Sequence, residues 1–319
     1  MIEASGLART FTTKRGDVEA VRGVDLDVAA GEIVGFLGPN GAGKSTTLRM
    51  LTTLLAPTAG RARVAGHDLR GDPAGVRRRI GYVAQGGGTD PGVPVAEELD
   101  LQARLYGVAG RAGRVAGLLE RFGLTDLAGR PAGALSGGQR RRLDLALGLV
   151  HAPPLVFLDE PTAGLDPQSR SDLWEHVRGL REREGTTVFL TTHYLEEADA
   201  LCDRVLIIDR GRIVAAGSPA ELKRRVAGDV LVLEPAGPGG PEAVLDKTRA
   251  ALAGLPQVRE AVVAAGGVRL SVEDGDRAVA AVVRALDGAG VELASLRLSR
   301  PTLDDVFLTV TGRSLRDAA

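Results

Sequence analysis

The chain of 319 residues carries 40 Lys and Arg against 41 Asp and Glu, which gives a formal net charge of −1 at pH 7. This balance argues against a nucleic-acid partner, since dedicated nucleic-acid-binding proteins usually carry a basic excess. The one cysteine, Cys202, excludes an internal disulfide and is expected to be a buried, unreactive thiol. No stretch approaches the ~20 consecutive apolar residues of a membrane-spanning helix, and the start at Met1 lacks the pattern of a signal peptide.

The first informative segment is a glycine-rich loop. The apolar run Ile33–Leu37 predicts a buried parallel strand, and a helix is expected after Gly43. Between them lies the pattern G-x-x-x-x-G-K-[ST], whose backbone N–H groups and helix N-terminus can face one anion. Lys44 is expected to reach the β- and γ-phosphates of a nucleotide, and Ser45 to ligate Mg²⁺. The predicted nucleotide-binding residues here are Gly38, Pro39, Asn40, Gly41, Ala42, Gly43, Lys44, Ser45 and Thr46.

Residues 86 to 135 are predicted to be helical, because leucines and alanines recur at helical spacing around residues 97 to 106. The run Leu135-Ser136-Gly137-Gly138-Gln139 follows. Its small residues and backbone N–H groups precede a helix, so this run predicts a second anion-facing turn.

Two carboxylates stand at the end of a second apolar run. Leu155–Asp159 predicts a buried strand parallel to the first, with Asp159 and Glu160 at its C-terminal end, where open α/β sheets bind ligands. Asp159 suits Mg²⁺, and Glu160 suits a general base that polarises an attacking water. Residues 186 to 192 and 204 to 209 predict further core strands.

Two runs of three arginines, at 77–79 and 140–142, allow two interpretations. The favoured prediction is a solvated helix face. The alternative is a contact with a membrane protein or with anionic lipid headgroups.

The chain changes character near residue 228. The pattern beyond it predicts a β-α-β-β-α-β order, which suggests a small ferredoxin-like α+β module. We favour a structural or dimerising role for this module, with a regulatory or ligand-sensing role as the alternative. The predicted strands span 229–234, 257–264, 267–273 and 291–298, and the predicted helices span 242–254 and 276–288.

The ordered motifs together resemble an ATP-binding cassette (ABC) domain over roughly residues 1 to 225. The resemblance implies an α/β P-loop NTPase with a RecA-like core and a helical subdomain at about 86–140. It places the cassette at 1–228 and an accessory domain at 229–319. Gln85 resembles the Q-loop glutamine that senses Mg²⁺, Asp166 the D-loop aspartate, and His193 the switch histidine that contacts the γ-phosphate. Phe11 lies where the family stacks an aromatic on adenine, with a buried core phenylalanine as the alternative.

The resemblance also implies that one chain is incomplete. In the family two cassettes pack head to tail, and ATP on Lys44 of one copy is capped by the other copy. The capping residues implied in trans are Ser136, Gly137, Gly138, Gln139 and Asp166. The implied metal ligands are Ser45, Gln85 and Asp159, and the implied catalytic residues are Lys44, Glu160 and His193. The isolated chain is therefore expected to be a poor ATPase.

A closer resemblance, to the ATP-binding subunits of daunorubicin-resistance-type exporters, rests on residues 136–146, 190–199 and 301–308. It implies ATP and Mg²⁺ as cofactors, a separately encoded permease, and a location at the cytoplasmic face of the cell membrane. The expected function is ATP hydrolysis that drives efflux of drugs or other amphipathic molecules. The alternative is a non-transport ABC ATPase that acts on ribosomes or DNA.

Overall fold

The computed structural model describes residues 1–14, 16–226, 229–236, 241–264 and 267–312. The chain divides into two compact units, Met1–Pro219 and Ala220–Gly312. The division falls at the start of a helix, Pro219–Val226. The predicted boundary after residue 228 adjoins residues 227 and 228, which lie outside the described residues.

The first unit is an α/β fold with two sheets. Its strands in chain order are β1 (Ile2–Thr13), β2 (Gly16–Val28), β3 (Ile33–Leu37), β4 (Ala59–Val64), β5 (His67–Asp68), β6 (Ile80–Val83), β7 (Leu155–Asp159), β8 (Thr187–Thr192), β9 (Arg204–Asp209) and β10 (Arg212–Gly217). One sheet has the order β10-β9-β3-β8-β7-β6, and the other has the order β2-β1-β4-β5.

The six-stranded sheet sets the position of the site. Strands β6, β7, β8, β3 and β9 run parallel, whereas β10 is antiparallel at the edge. Every residue of β3 and of β7 is buried, as expected where helices cover both faces of a parallel sheet. The predicted strands before Gly38 and before Glu160 are therefore confirmed, with β8 between them.

Helices pack around these sheets. They are α1 (Lys44–Leu51), α2 (Pro73–Arg79), α3 (Val95–Leu105), α4 (Arg111–Arg121), α5 (Gly137–Gly148), α6 (Pro167–Glu184) and α7 (Leu195–Leu201). Helix α8 (Pro219–Val226) begins at the division between the two units. The region predicted to be helical contains α3, α4 and two short 3₁₀ turns, joined by loops. Within the described parts of the chain, no helix has the length and hydropathy needed to cross a bilayer.

The second unit has its own antiparallel sheet, in the order β12-β13-β11-β14. Its elements are β11 (Asp229–Ala236), α9 (Pro241–Leu252), β12 (Val258–Ala264), β13 (Gly267–Val272), α10 (Gly275–Gly288), β14 (Glu292–Ser299) and α11 (Leu303–Thr311). Leu231, Leu270 and Val282 belong to a core that includes residues of the sheet and of both α9 and α10. The predicted β-α-β-β-α-β order, that of a ferredoxin-like module, is confirmed.

Candidate functional site

The C-terminal ends of four neighbouring strands bring the predicted site residues together. The glycine-rich loop follows β3, and Asp159 and Glu160 lie at the end of β7. Thr191 lies at the end of β8, and Gln85 follows β6 by two residues. Because the carboxyl ends of parallel strands share one edge of the sheet, residues far apart in sequence meet there.

At two positions of the loop, neighbouring backbone leaves no room for a side chain, so glycine is required there. A Cβ at Gly38 would lie 2.3 Å from the carbonyl oxygen of Ile208. Gly43, which precedes α1, has φ +107°, and a Cβ there would lie 2.6 Å from the carbonyl oxygen of Ala20. A larger residue at either position would displace backbone, so this turn depends on glycine.

Lys44 is a buried cation, with 4% of its surface exposed. Its Nζ donates to the carbonyl oxygens of Gly38 at 2.7 Å and Pro39 at 3.1 Å, and lies 3.4 Å from Oε1 of Glu160. Burial lowers the pKa of Lys44, and the neighbouring Glu160 opposes that shift. The amine therefore already has oxygen partners of the kind that a phosphate also provides.

Asp159 is tied to the loop and to the neighbouring strand through one oxygen. Its Oδ1 accepts from Ser45 Oγ at 3.1 Å and from Thr191 Oγ1 at 2.6 Å. Thr191 Oγ1 in turn accepts from the backbone N–H of Glu160 at 3.0 Å. Thr191 was not among the site residues predicted from the sequence. Its position two residues before His193 is the signal that could have found it.

Glu160 is buried in a strained backbone position. Its φ of +44° is in the left-handed region, which costs a non-glycine residue about 1–3 kcal/mol. Its Oε2 accepts from Gln85 Nε2 at 3.1 Å, and Nδ1 of His193 lies 3.2 Å from the same oxygen without hydrogen-bond alignment. Three residues predicted to act on ATP thus meet at one carboxylate.

The signature turn, residues 136–139, forms the start of α5. Ser136 and Gln139 form a capping box: Ser136 N–H donates to Gln139 Oε1 at 3.0 Å, and Gln139 N–H donates to Ser136 Oγ at 3.3 Å. Ser136 and Gly137 are exposed. Gln139 therefore shapes the turn, while its small residues face outward.

Asp166 is hydrogen-bonded to Ser169, and Ser169 lies beside Gly138 of the signature turn. Asp166 caps α6 and accepts from Ser169 N at 2.9 Å and Ser169 Oγ at 2.7 Å, and these bonds lower the pKa of Asp166. A Cβ at Gly138 would lie 2.6 Å from Ser169 Oγ. Sequence reasoning missed Ser169, because a serine at the start of a helix is common.

Phe11 lies on β1, in the four-stranded sheet, and is half-buried. The guanidinium carbon of Arg9 lies 4.7 Å from its ring centroid. The ring is thus a partly exposed aromatic covered by a cation, rather than a fully buried core residue.

One sequence prediction is wrong. The run 140–142 was expected to be a solvated helix face, but Arg141 is buried and Arg140 and Arg142 are half-buried. Each donates to backbone carbonyls within the first unit. The run 77–79 is exposed at the end of α2, as predicted.

Known proteins share this combination of folds and loops. Residues 21–163 match the family model described as ABC transporter, and residues 217–311 match the C-terminal domain model of DrrA1-3-like ATP-binding proteins. The chain is also similar to a solved dimeric structure of the ATP-binding cassette MJ0796, in a post-hydrolysis state bound to ADP and Pi. The two superpose with a TM-score of 0.63 and 26% sequence identity, over 68% of this chain and 98% of the MJ0796 chain.

Relatives extend the match over nearly the full length. Daunorubicin resistance ATP-binding protein DrrA3 of Streptomyces coeruleorubidus is 46% identical over 95% of each chain. Linearmycin resistance ATP-binding protein LnrL of Bacillus subtilis is 35% identical over 99% of this chain and 100% of its own. The chain therefore belongs to the daunorubicin-resistance-type family of ABC transporter ATP-binding proteins. It is an ATPase and the ATP-binding subunit of an exporter, which favours transport over the alternative of action on ribosomes or DNA.

Proposed function

We propose that two copies of this chain pack head to tail and drive a separate permease that exports amphipathic drugs or similar molecules from the cytoplasmic face of the membrane. In each site, ATP on the loop of one copy is capped by residues 136–139 and Asp166 of the other. The observation that carries this proposal is the different environment of the two turns. The loop around Lys44 is joined to the carboxylates of its own chain, whereas the signature turn faces outward.

The proposed chemistry begins with Glu160. Its carboxylate accepts a proton from the attacking water, while Gln85 holds its Oε2 atom by a hydrogen bond and His193 lies beside the same atom. Lys44 exchanges backbone carbonyls for β- and γ-phosphate oxygens, and the partly exposed Phe11 stacks on adenine. A general base in such a position contributes about 10²–10⁴ in rate.

The residues present fit Mg²⁺. Ser45 Oγ donates to Asp159 Oδ1, so a hydroxyl oxygen and a carboxylate oxygen lie side by side, and the Gln85 amide is held at the next residue, Glu160, through its Nε2 atom. Magnesium prefers such oxygen ligands and usually keeps waters and phosphates as its others. We propose that Ser45, Asp159 and Gln85 hold the ion, which would neutralise phosphate charge.

A groove on the first unit suits the permease. It has a volume of about 260 Å³, and its lining includes Leu54, Tyr82, Tyr106 and His151. The Tyr106 ring stacks on His151 at a centroid distance of 3.8 Å. Leu54 and Tyr106 on its lining are 53% and 40% exposed, and Leu105, the residue before Tyr106, is 73% exposed. Clustered exposed apolar side chains of this kind are typical of protein contact surfaces. Because Tyr82 precedes Gln85 by three residues, a protein docked here would lie near the site.

The proposed function also concerns the two domains and the exported substrate. We assign the cassette to residues 1–228 and an accessory, structural or dimerising domain to residues 229–319. Two relatives are named for resistance to daunorubicin and to linearmycin, which supports a drug or other amphipathic molecule as the exported substrate.

The test is dimerisation of a variant that cannot complete hydrolysis. Glu160→Gln should bind ATP with Mg²⁺, lose about 10²–10⁴ in turnover and sediment as a dimer with ATP but not with ADP. Adding Gly138→Asp puts a negative charge in the signature turn, so the double variant should bind ATP yet remain a monomer.

The charge-matched control is Gly129→Asp, where a Cβ meets nothing within 4 Å. In the Glu160→Gln background it should still dimerise. Turnover by Glu160→Gln at the wild-type rate would disprove the base assignment. ATP-dependent dimers of the Gly138→Asp double variant would disprove capping in trans.

A further inference from the structure

Arg141 is a buried cation on α5, two residues after the signature turn, with 6% of its surface exposed. Its guanidinium donates to the backbone of two separate loops at the carboxyl edge of the sheet. The acceptors are the carbonyl oxygens of Pro161 at 2.7 Å, Ala84 at 2.6 Å, Asp159 at 3.1 Å and Glu160 at 3.4 Å.

The neighbouring arginines do not reach these loops in the structure. Arg140 Nη2 donates to the carbonyl oxygens of Ala132 and Gly133, each at 3.2 Å. Arg142 Nη1 donates to the carbonyl oxygen of Phe122 at 2.9 Å. Of the three arginines, Arg141 is therefore the one that connects α5 to the edge where ATP is hydrolysed.

The two loops that Arg141 holds carry the groups that meet in the site. Ala84 directly precedes Gln85, and the other three acceptors surround the strained backbone of Glu160. A planar guanidinium offers five donors in a fixed fork, whereas a lysine ammonium offers three donors from one point. Arginine can thus bridge both loops at once. Asp144, also buried, lies 3.8 Å from Nη1 and balances part of the charge.

We propose that Arg141 is a positioning residue that holds Glu160 and Gln85 in the geometry for hydrolysis. Because α5 also carries Ser136 and Gly138, Arg141 links the turn that caps the partner's ATP to the general base of its own chain. Closure of one composite site is thereby transmitted to the base of the other. This inference rests on the head-to-tail dimer proposed above.

The test uses the full chain with Arg141→Lys and Arg141→Gln, and with Arg142→Lys as the matched control. Turnover, KM and the equilibrium affinity for ATP are measured for each. Loss of charge-assisted hydrogen bonds should lower kcat at least about tenfold in both Arg141 variants, with KM and ATP affinity within about twofold of wild type. Arg142→Lys should keep kcat within about twofold.

A second measurement separates this inference from the proposed function. Arg141→Lys added to Glu160→Gln should leave the ATP-dependent dimer intact, because the arginine acts on the base and not on nucleotide capture. If Glu160→Gln alone fails to dimerise, the proposed function fails irrespective of Arg141.

Three results would overturn the role of Arg141. One is a folded Arg141→Lys protein with kcat within about twofold of wild type. Another is a loss confined to KM and ATP affinity. The last is failure of both Arg141 variants to fold, which would make the side chain a requirement for folding instead.

Discussion

The cluster around Glu160 and the signature turn differ in where their polar groups find partners. In the cluster, the side chains of Lys44, Ser45, Gln85 and Thr191 each contact one of the two carboxylates of the same chain. In the signature turn, Ser136 and Gln139 bond to each other, and Gly137 between them is exposed.

This contrast indicates which site residues are held in place within a single chain. The carboxylates and the lysine are buried and paired, so their geometry is set by the fold of one copy. The capping box fixes the shape of the signature turn, but the turn is exposed, as the proposed contact with ATP on a second copy requires. Substitutions in the two regions should therefore have different consequences.

The largest expected effect comes from breaking the cluster with Lys44→Ala. Loss of a charge-assisted contact to phosphate should weaken ATP binding at least about tenfold, and it also leaves Glu160 without its buried cation. Calorimetric titration with ATP and Mg²⁺ measures this change. Lys247→Ala, at an exposed lysine of the second unit, is the control and should bind ATP as wild type does. If Lys44→Ala bound ATP with unchanged affinity, the loop around Lys44 would not be part of the ATP-binding site.

An intermediate effect, on binding of the permease, is expected from a substitution beside the groove that contains Tyr106 and His151. Leu105→Asp places a charge beside the groove, at the residue before Tyr106, without disturbing the core, because Leu105 is exposed. We expect loss of co-purification with the co-expressed permease, while ATP affinity of the isolated chain stays unchanged. Leu308→Asp, at another exposed leucine, should still co-purify. Retention of the permease by Leu105→Asp would place the docking surface elsewhere.

The smallest expected effect concerns Glu197, a buried carboxyl on α7 that accepts from Trp174 Nε1 at 3.2 Å. Burial raises the pKa of Glu197 above its ordinary value of 4.5. Its protonated form is thus favoured by folding, and its contribution to stability, full below pH 4.5, is lost as pH rises through the folded-state pKa.

Glu197→Gln should remove this dependence. In urea unfolding at a series of pH values, the free energy of unfolding of wild type should fall relative to the variant as pH rises. Each unit by which the pKa is raised corresponds to about 1.4 kcal/mol. Parallel curves for the two proteins would show that Glu197 does not titrate differently on folding.

Much of the cassette was predictable from local patterns. The apolar runs before Gly38 and Glu160 predict buried strands, and both are present, because a parallel sheet covered on both faces requires continuous apolar residues. The β-α-β-β-α-β order of the second unit follows from alternating periodicities in the same way. The loop around Lys44 was readable because phosphate binding needs particular residue types at fixed spacing.

The roles of Arg141, Thr191 and Ser169 could not be predicted in this way. A run of three arginines on a helix gives no local sign of which one turns inward, since that depends on the loops packed against α5. Thr191 matters because β8 lies between β3 and β7, which places its hydroxyl beside Asp159. Ser169 matters because α6 begins next to Gly138.

The strand and helix pattern, the phosphate loop and the residue types of the site could thus be predicted from the amino-acid sequence, because each depends on spacing along the chain. The left-handed backbone of Glu160 and the approach of Gln85 and His193 to its Oε2 atom are properties of the folded protein. The same holds for the contacts by which Arg141 joins α5 to these groups. These features depend on strands and loops distant in sequence, and only packing brings their atoms within hydrogen-bond distance.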